Sequence, residues 1–359
     1  MINPNCLPEI ACLVSSPDGD LPVTEDNLRI PLEGCDQGTS YGEYFAFIRQ
    51  ALLRDDCRLL RSLGTFLEVE GEPAIVSVRA EKHGALYHPA SLSITWRGGA
   101  AAKFALLVAI SKRGKQALRH ESRVLSILQD KPGTPFLPRP QYAMADETAS
   151  LLVVPWFSGF HEFHVCGDGS FLLWDHDQGI RRLGQSELEK VFFQVGRILT
   201  LCLDPKTGAG IHPWSHAAGD FIVRWEGQDV DVRLTTARDY GPLVETDNLL
   251  SSLFAFVLDL ALRVRLDRED GVGEWVWMDR NVMESAVRGF SAALGEHGAE
   301  GEALTALGRL LPSFSPDELL DGYEPLLDRF SRAELMIILP RLEEHCRELS
   351  MALGAVSER

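Results

Sequence analysis

The sequence predicts an α+β fold in two lobes, the first built on an antiparallel sheet and the second mainly helical. Three observations carry this. Between Ala74 and Ser111 three β-type stretches follow one another with turn signals between them. One stretch of helical spacing, Gln116 to Leu128, comes next, followed by two more strand-like stretches. From Ser186 onward apolar residues recur mostly at helical spacing, with one strand hairpin near 221–237 interrupting them.

In chain order, residues 1 to about 40 are rich in Pro, Gly, Asp and Ser and read as an irregular arm. Phe45, Ile48, Leu52, Leu53, Leu59 and Leu60 then predict a helical entry segment over Tyr41 to Leu63, so 1–73 forms a leading part. The first lobe, 74–155, opens with AIVSVRA (Ala74 to Ala80) and the more cleanly alternating SLSITW (Ser91 to Trp96), which turns at Gly98-Gly99. Lys103 to Ser111 is a nearly continuous apolar run of strand length. Leu118, Val124, Leu125 and Leu128 define the helix, and Pro132, Pro135, Pro138 and Pro140 mark an extended connection. Strands around Gln141 to Met144 and Ser150 to Val154 end at Pro155-Trp156.

The second lobe, 156–359, holds a helix over Ser186 to Leu203 and the strands Phe221 to Trp225 and Val230 to Ala237 around a turn at Gly227. Helices follow from Asn248, with breaks near Gly271–Gly273 and Pro312–Pro316. His161-Glu162-Phe163-His164 reads as a polar connection rather than a metal pair, and Trp174-Asp175-His176-Asp177 as a polar turn.

A chain of 359 residues is too long for one ordinary core, and 45% hydrophobic with 24% charged residues is ordinary for a globular protein. A net charge of −17 repels phosphate backbones and anionic lipid headgroups, which argues against nucleic acid or a membrane surface as partner. The one dense basic patch, Lys112, Arg113, Lys115, Arg119 and Arg123, reads as a solvated helix start. Leu249 to Val264 is broken by Ser251, Ser252 and Asp259, too short and polar to span a bilayer, and reads as a buried helix. Seven dispersed cysteines without a CxxC pair fit a reducing compartment. The first residues lack a basic region followed by a long apolar run, so no signal peptide is expected and the expected location is cytoplasmic.

Three strands, a helix, two strands and an apolar exit, followed by a helix, a hairpin and further helices, resemble the protein-kinase-like fold of aminoglycoside phosphotransferases and lipopolysaccharide core kinases. The resemblance covers roughly Ala74 to Glu245 and includes short motifs. Glu121 in LRHESRVLSIL is similar to the helical carboxylate that orients the family's phosphate-clamping lysine. Leu107 stands where that lysine belongs, and Lys103 and Lys112 are the nearest cations. Gly219-Asp220-Phe221-Ile222-Val223 is similar to the family's metal-binding Asn and the strand after it, with Asp220 in place of Asn, Ser215 in place of the catalytic Asp, and His216 beside it. A second register makes Asp220 itself the base. Arg238-Asp239-Tyr240-Gly241 resembles the metal-binding DFG-type motif, 19 positions after Asp220.

The resemblance implies ATP or another nucleotide as ligand, Mg²⁺ on Asp220 and Asp239, and catalytic roles for Asp220, His216 and Ser215. Lys112, Glu121, Val154 and Trp156 would lie along the nucleotide, with Val153 to Phe157 joining the lobes and offering backbone groups to an adenine-like ring. The implied activity is phosphoryl transfer to a small-molecule or glycan hydroxyl. The departures at Leu107 and Ser215 imply the alternative, a pseudokinase that serves as a binding or regulatory module, with a protein partner.

Overall fold

In the computed structural model the described residues are 7–16, 19–32, 38–81, 86–129, 134–175, 178–216 and 219–357. Parts of the expected arm (1–6, 17–18, 33–37), Pro132, His176, Asp177, Ala217 and Ala218 lie outside them. The chain is α+β and divides into two compact units, 1–126 with 138–158, and 127–137 with 159–359.

Part of the expected arm is a strand. β1 (Glu9–Val14) pairs antiparallel with the two-residue β2 (Leu21–Pro22) and parallel with β3 (Pro73–Ala80). Val23 N–H also donates to Cys12 C=O. Between them runs α1 (Tyr41–Phe66), started by a capping box in which Ser40 and Glu43 exchange side-chain and backbone hydrogen bonds. The helix breaks at Arg54–Cys57, where Asp55, Asp56 and Cys57 have φ of 50°, 58° and 58°.

β3, β4 (His88–Trp96) and β5 (Ala101–Ala109) form the antiparallel meander the alternation predicts. After α2 (Lys112–Gln129), β6 (Tyr142–Ala145) and β7 (Ser150–Pro155) complete a seven-stranded sheet in the order β2-β1-β3-β4-β5-β7-β6. Period-two alternation turns Val78, Leu92, Phe104, Leu106 and Val153 to one face, where they pack in a single core with Ile48, Leu52, Leu59 and Leu63 of α1. The helix that fills this core is therefore α1, which the sequence presents only as an entry segment. α2 is tied to the sheet's other end by Lys115 Nζ donating to Glu147 C=O (2.6 Å) and Arg119 Nε to Ser150 Oγ (3.2 Å).

The second unit contains a five-stranded sheet of which sequence patterning disclosed only the hairpin near 221–237. β8 (His161–Val165), β9 (Phe171–Asp175) and β10 (Gly179–Arg182) lead to α3 (Gln185–Cys202), then β11 (Gly210–His212) and the hairpin β12 (Phe221–Glu226) and β13 (Asp229–Leu234). The sheet order is β10-β9-β8-β12-β13. The segment read as a polar connection is thus a paired strand: Phe163 and Val165 are buried, and Phe163 and Phe171 meet Phe192 of α3 edge-on at 6.4 and 5.4 Å. Three polar residues in five hide the strand from a hydrophobicity reading.

β14 (Asp239–Gly241) is followed by α4 (Leu249–Arg263), the short pair β15 (Leu266–Arg268) and β16 (Trp275–Trp277), and α5 (Arg280–Leu294). α6 (Glu302–Leu310), α7 (Pro316–Leu327), α8 (Arg332–Ile338) and α9 (Leu342–Ser357) complete the unit. α3 and α5 cross where glycine removes side-chain bulk: a Cβ at Gly196 would strike the Ala286 carbonyl, and one at Gly289 the Phe193 carbonyl.

The expected partition at 73 and 155 differs from the observed units, because β1 and α1 belong with the first sheet. Residues 134–137 go with the second unit, where Leu234 N–H donates to Phe136 C=O (3.0 Å) and Arg233 to Pro135 C=O. Among the described residues no helix is long and apolar enough to cross a membrane.

Candidate functional site

Two strand pairs frame the candidate site. In the β12–β13 hairpin, Gly227 (φ 65°) opens a two-residue turn, and Phe221 lies opposite Leu234. β11 pairs antiparallel with β14, which sets His212 opposite Asp239. Residues 219–220 and Thr235 therefore lie side by side where the hairpin opens. They are tied by Thr235 N–H to Asp220 C=O (2.7 Å) and Thr235 Oγ1 to Gly219 C=O (2.6 Å).

Asp220 is the hub of this site and is only 5% exposed. Arg238 Nη1 donates to its Oδ2 and Nη2 to its Oδ1, both at 2.5 Å, a bidentate fork on a carboxylate. Ser215 N–H donates to Oδ2 at 2.8 Å. Ser215 thus meets Asp220 through its backbone, in a role that needs no hydroxyl.

Asp239 has other partners. Its Oδ1 accepts from Tyr240 N–H at 2.8 Å, and its charge acts on His212. Burial is the main cause that lowers the His212 pKa; Arg329 adds to the lowering and Asp239 opposes it. Arg329 Nη2 lies 3.2 Å from His212 Nδ1. Arginine has no acceptor, so Nδ1 is the accepting nitrogen and Nε2 carries the proton. Asp220 thus holds the Arg238 guanidinium, while Asp239 accepts from the Tyr240 backbone and raises the His212 pKa by its charge.

His216 is 0% exposed, and complete burial pulls its pKa down to about 3, so it is neutral at physiological pH. Its ring lies parallel to Phe163 at 6.5 Å and edge-on to Phe192 at 5.0 Å, and Nδ1 is 3.5 Å from Asp267 Oδ2. A histidine enclosed in this way serves the core of the unit and offers no face to an acceptor hydroxyl.

The expected nucleotide contacts all fall in the first unit. Lys112 is the exposed first residue of α2, and Glu121 on the same helix is 1% exposed. Val154 sits in the ladder opposite Ala105, Trp156 N–H donates to Lys103 C=O (3.4 Å), and Lys103 Nζ stands 3.9 Å from the centre of the Trp156 ring. Burial lowers the Lys103 pKa. The structure brings Lys103 and Trp156 together, whereas Leu107 is buried beside Leu152 in the β5–β7 ladder.

Arg238, Thr235, His212 and Arg329 were not singled out by sequence reasoning. Arg238 was visible in the RDYG motif, one position before the aspartate that drew attention. Arg329 gives no local signal, since it lies 117 positions from His212. A Mg²⁺ ion does not fit this donor set: both Asp220 oxygens already carry a guanidinium, and no group of three His, Cys, Asp or Glu side chains suited to a metal occurs among the described residues. Compared with protein-family models and with curated proteins, the chain gives no match.

Proposed function

We propose that this chain is a non-catalytic, kinase-like binding or regulatory module. The observation that carries the reading is the bidentate Asp220–Arg238 pair, which takes up the carboxylate that phosphoryl transfer would need for metal or acceptor. The enclosure of neutral His216 and the purely backbone role of Ser215 support it. So does Leu107, which puts an apolar side chain where the resemblance calls for a phosphate-clamping lysine.

A net charge of −17 favours a partner protein with a basic contact face over nucleic acid. Such a module acts by presenting its surface, and its output is an altered partner rather than a product. Incubation with Mg²⁺ and ATP or GTP, with small-molecule and glycan acceptors, tests the reading. Neither nucleotide turnover above a no-protein control nor phosphorylated acceptor is expected. Transfer that depends on Mg²⁺ and disappears in Asp220→Asn would overturn it in favour of the phosphotransferase.

A further inference from the structure

We infer that the cleft between α4 and α7 is a docking site for a partner-protein segment that carries one bulky apolar residue flanked by lysines or arginines. The inference rests on the reading that this chain works through a protein partner with a basic contact face, and it names where that face docks. Val244, Phe254, Ala255 and Pro325 supply the apolar walls of the cleft, with Gly322 on the α7 side. Its volume is about 290 Å³. That is below the roughly 300–1,000 Å³ of small-molecule pockets and suits a single anchoring side chain. Glu245, Thr246, Ser251 and Pro325 line it and are exposed, so it opens to solvent.

Local chemistry shapes both the floor and the rim. A Cβ at Gly322 would lie 2.7 Å from Phe254 Cε1, so the bare backbone there lets the Phe254 ring reach α7. Phe314, stacked on Phe254 at 4.7 Å, holds that ring in place. Pro325 stands inside α7 without an N–H, so it cannot donate the helical bond to Asp321 C=O. Asp321 and Asp328 lie four positions before and three after Pro325, on the same side of α7, and Glu245 lines the cleft from the chain before α4. All three carboxylates are exposed, and among the described residues none of them forms an ion pair or a side-chain hydrogen bond. Arg329 is engaged elsewhere, donating to Leu243 C=O at 3.0 Å and lying 3.2 Å from His212 Nδ1. An apolar floor with an unneutralised acidic rim is complementary to an apolar anchor between cations, and it repels an acidic segment.

The test selects binders to the full chain from a phage-displayed library of random dodecapeptides and measures them by fluorescence anisotropy. Selected sequences are expected to share one Leu, Phe, Met or Trp with Lys or Arg on either side. Ser251→Trp fills the cleft from an exposed position of α4, and Asp321→Lys/Asp328→Lys reverses the rim. Each is expected to weaken binding by about tenfold or more, with circular dichroism checking that it is folded. Glu25→Lys/Glu147→Lys makes the same charge change at exposed positions of the first unit, and binding is expected to stay within about twofold of wild type. No enriched sequence, an acidic consensus, or undiminished binding by the folded cleft and rim variants overturns the inference. Concentration-dependent dimerisation that Ser251→Trp abolishes would put a second copy in the cleft and overturns it as well. Mg²⁺-dependent phosphoryl transfer by wild type would instead sink the functional reading, so the two failures are distinguishable.

Discussion

At the scale of single residues the Asp220–Arg238 pair is asymmetric. Asp220 is 5% exposed, whereas the Arg238 side chain is 35% exposed. Replacing Arg238 by Met strands a buried charge, and a cost of about 3 kcal/mol is expected in urea unfolding. Asp220→Asn leaves a guanidinium that can turn to water, so a smaller loss is expected, and equal losses would contradict the burial argument. His216 and His345 give a pH dependence. Both are fully buried with pKa lowered to about 3 by burial, and Arg265 adds to the lowering at His345. Arg265 Nη1 lies 3.4 Å from His345 Nδ1, and His345 Nε2 lies 2.7 Å from Tyr323 Oη, which donates on to Leu258 C=O. Both imidazoles are neutral in the folded protein and free to charge in the unfolded chain. Their stabilising contribution is complete above the ordinary histidine value and is lost as pH falls below it toward 3. By pH 5 each costs about 2 kcal/mol, so unfolding midpoints should fall from pH 7.5 to pH 5 and fall less in His345→Gln.

At the scale of elements, the α3–α5 crossing depends on two glycines. Gly196 faces the Ala286 carbonyl and Gly289 the Phe193 carbonyl, so a methyl at either meets backbone, which cannot rotate away. Alanine raises intrinsic helix propensity by up to about 1 kcal/mol, and overpacking opposes that gain. At Gly289 the collision should win, with a net loss of about 2 kcal/mol by chemical denaturation. A neutral or stabilised Gly289→Ala would mean that the helices slide apart freely. The hairpin and α1 behave differently, since their determinants are local. Gly227 supplies the positive φ its turn needs, and Ser40 with Glu43 starts α1.

At the scale of the whole molecule the charge imbalance governs solution behaviour. Like charges that sum to −17 repel one another across the folded surface, and salt screens that repulsion. Salt also weakens exposed ion pairs such as Arg182–Asp168 and Arg197–Glu296, but each of those contributes less than about 1 kcal/mol. Self-repulsion is the larger effect, so Tm should rise as NaCl goes from near zero to about 0.15 M. A fall would show that ion pairs outweigh net charge.

The sequence by itself determined the parts whose causes are near neighbours in the chain. Alternation between Ala74 and Val154 specified five strands and their antiparallel run, and helical spacing specified α2, α3 and α4. Composition specified the acidic surface. The tertiary structure alone decided which helix fills the first core, because α1 and β3 to β5 meet through a sheet no local pattern encodes. It also decided that His161–Val165 is a strand, since its polar residues are placed by pairing with β9 and β12 rather than by their own hydrophobicity. Asp220 shows the same division at the site. Its motif was legible as a carboxylate before a strand, but its chemistry depends on a guanidinium 18 positions later, brought to it by a hairpin and a second strand pair. A one-dimensional pattern records which charges exist; the fold decides which opposite charges reach one another, and so whether a carboxylate is left open for a ligand or closed by its own chain.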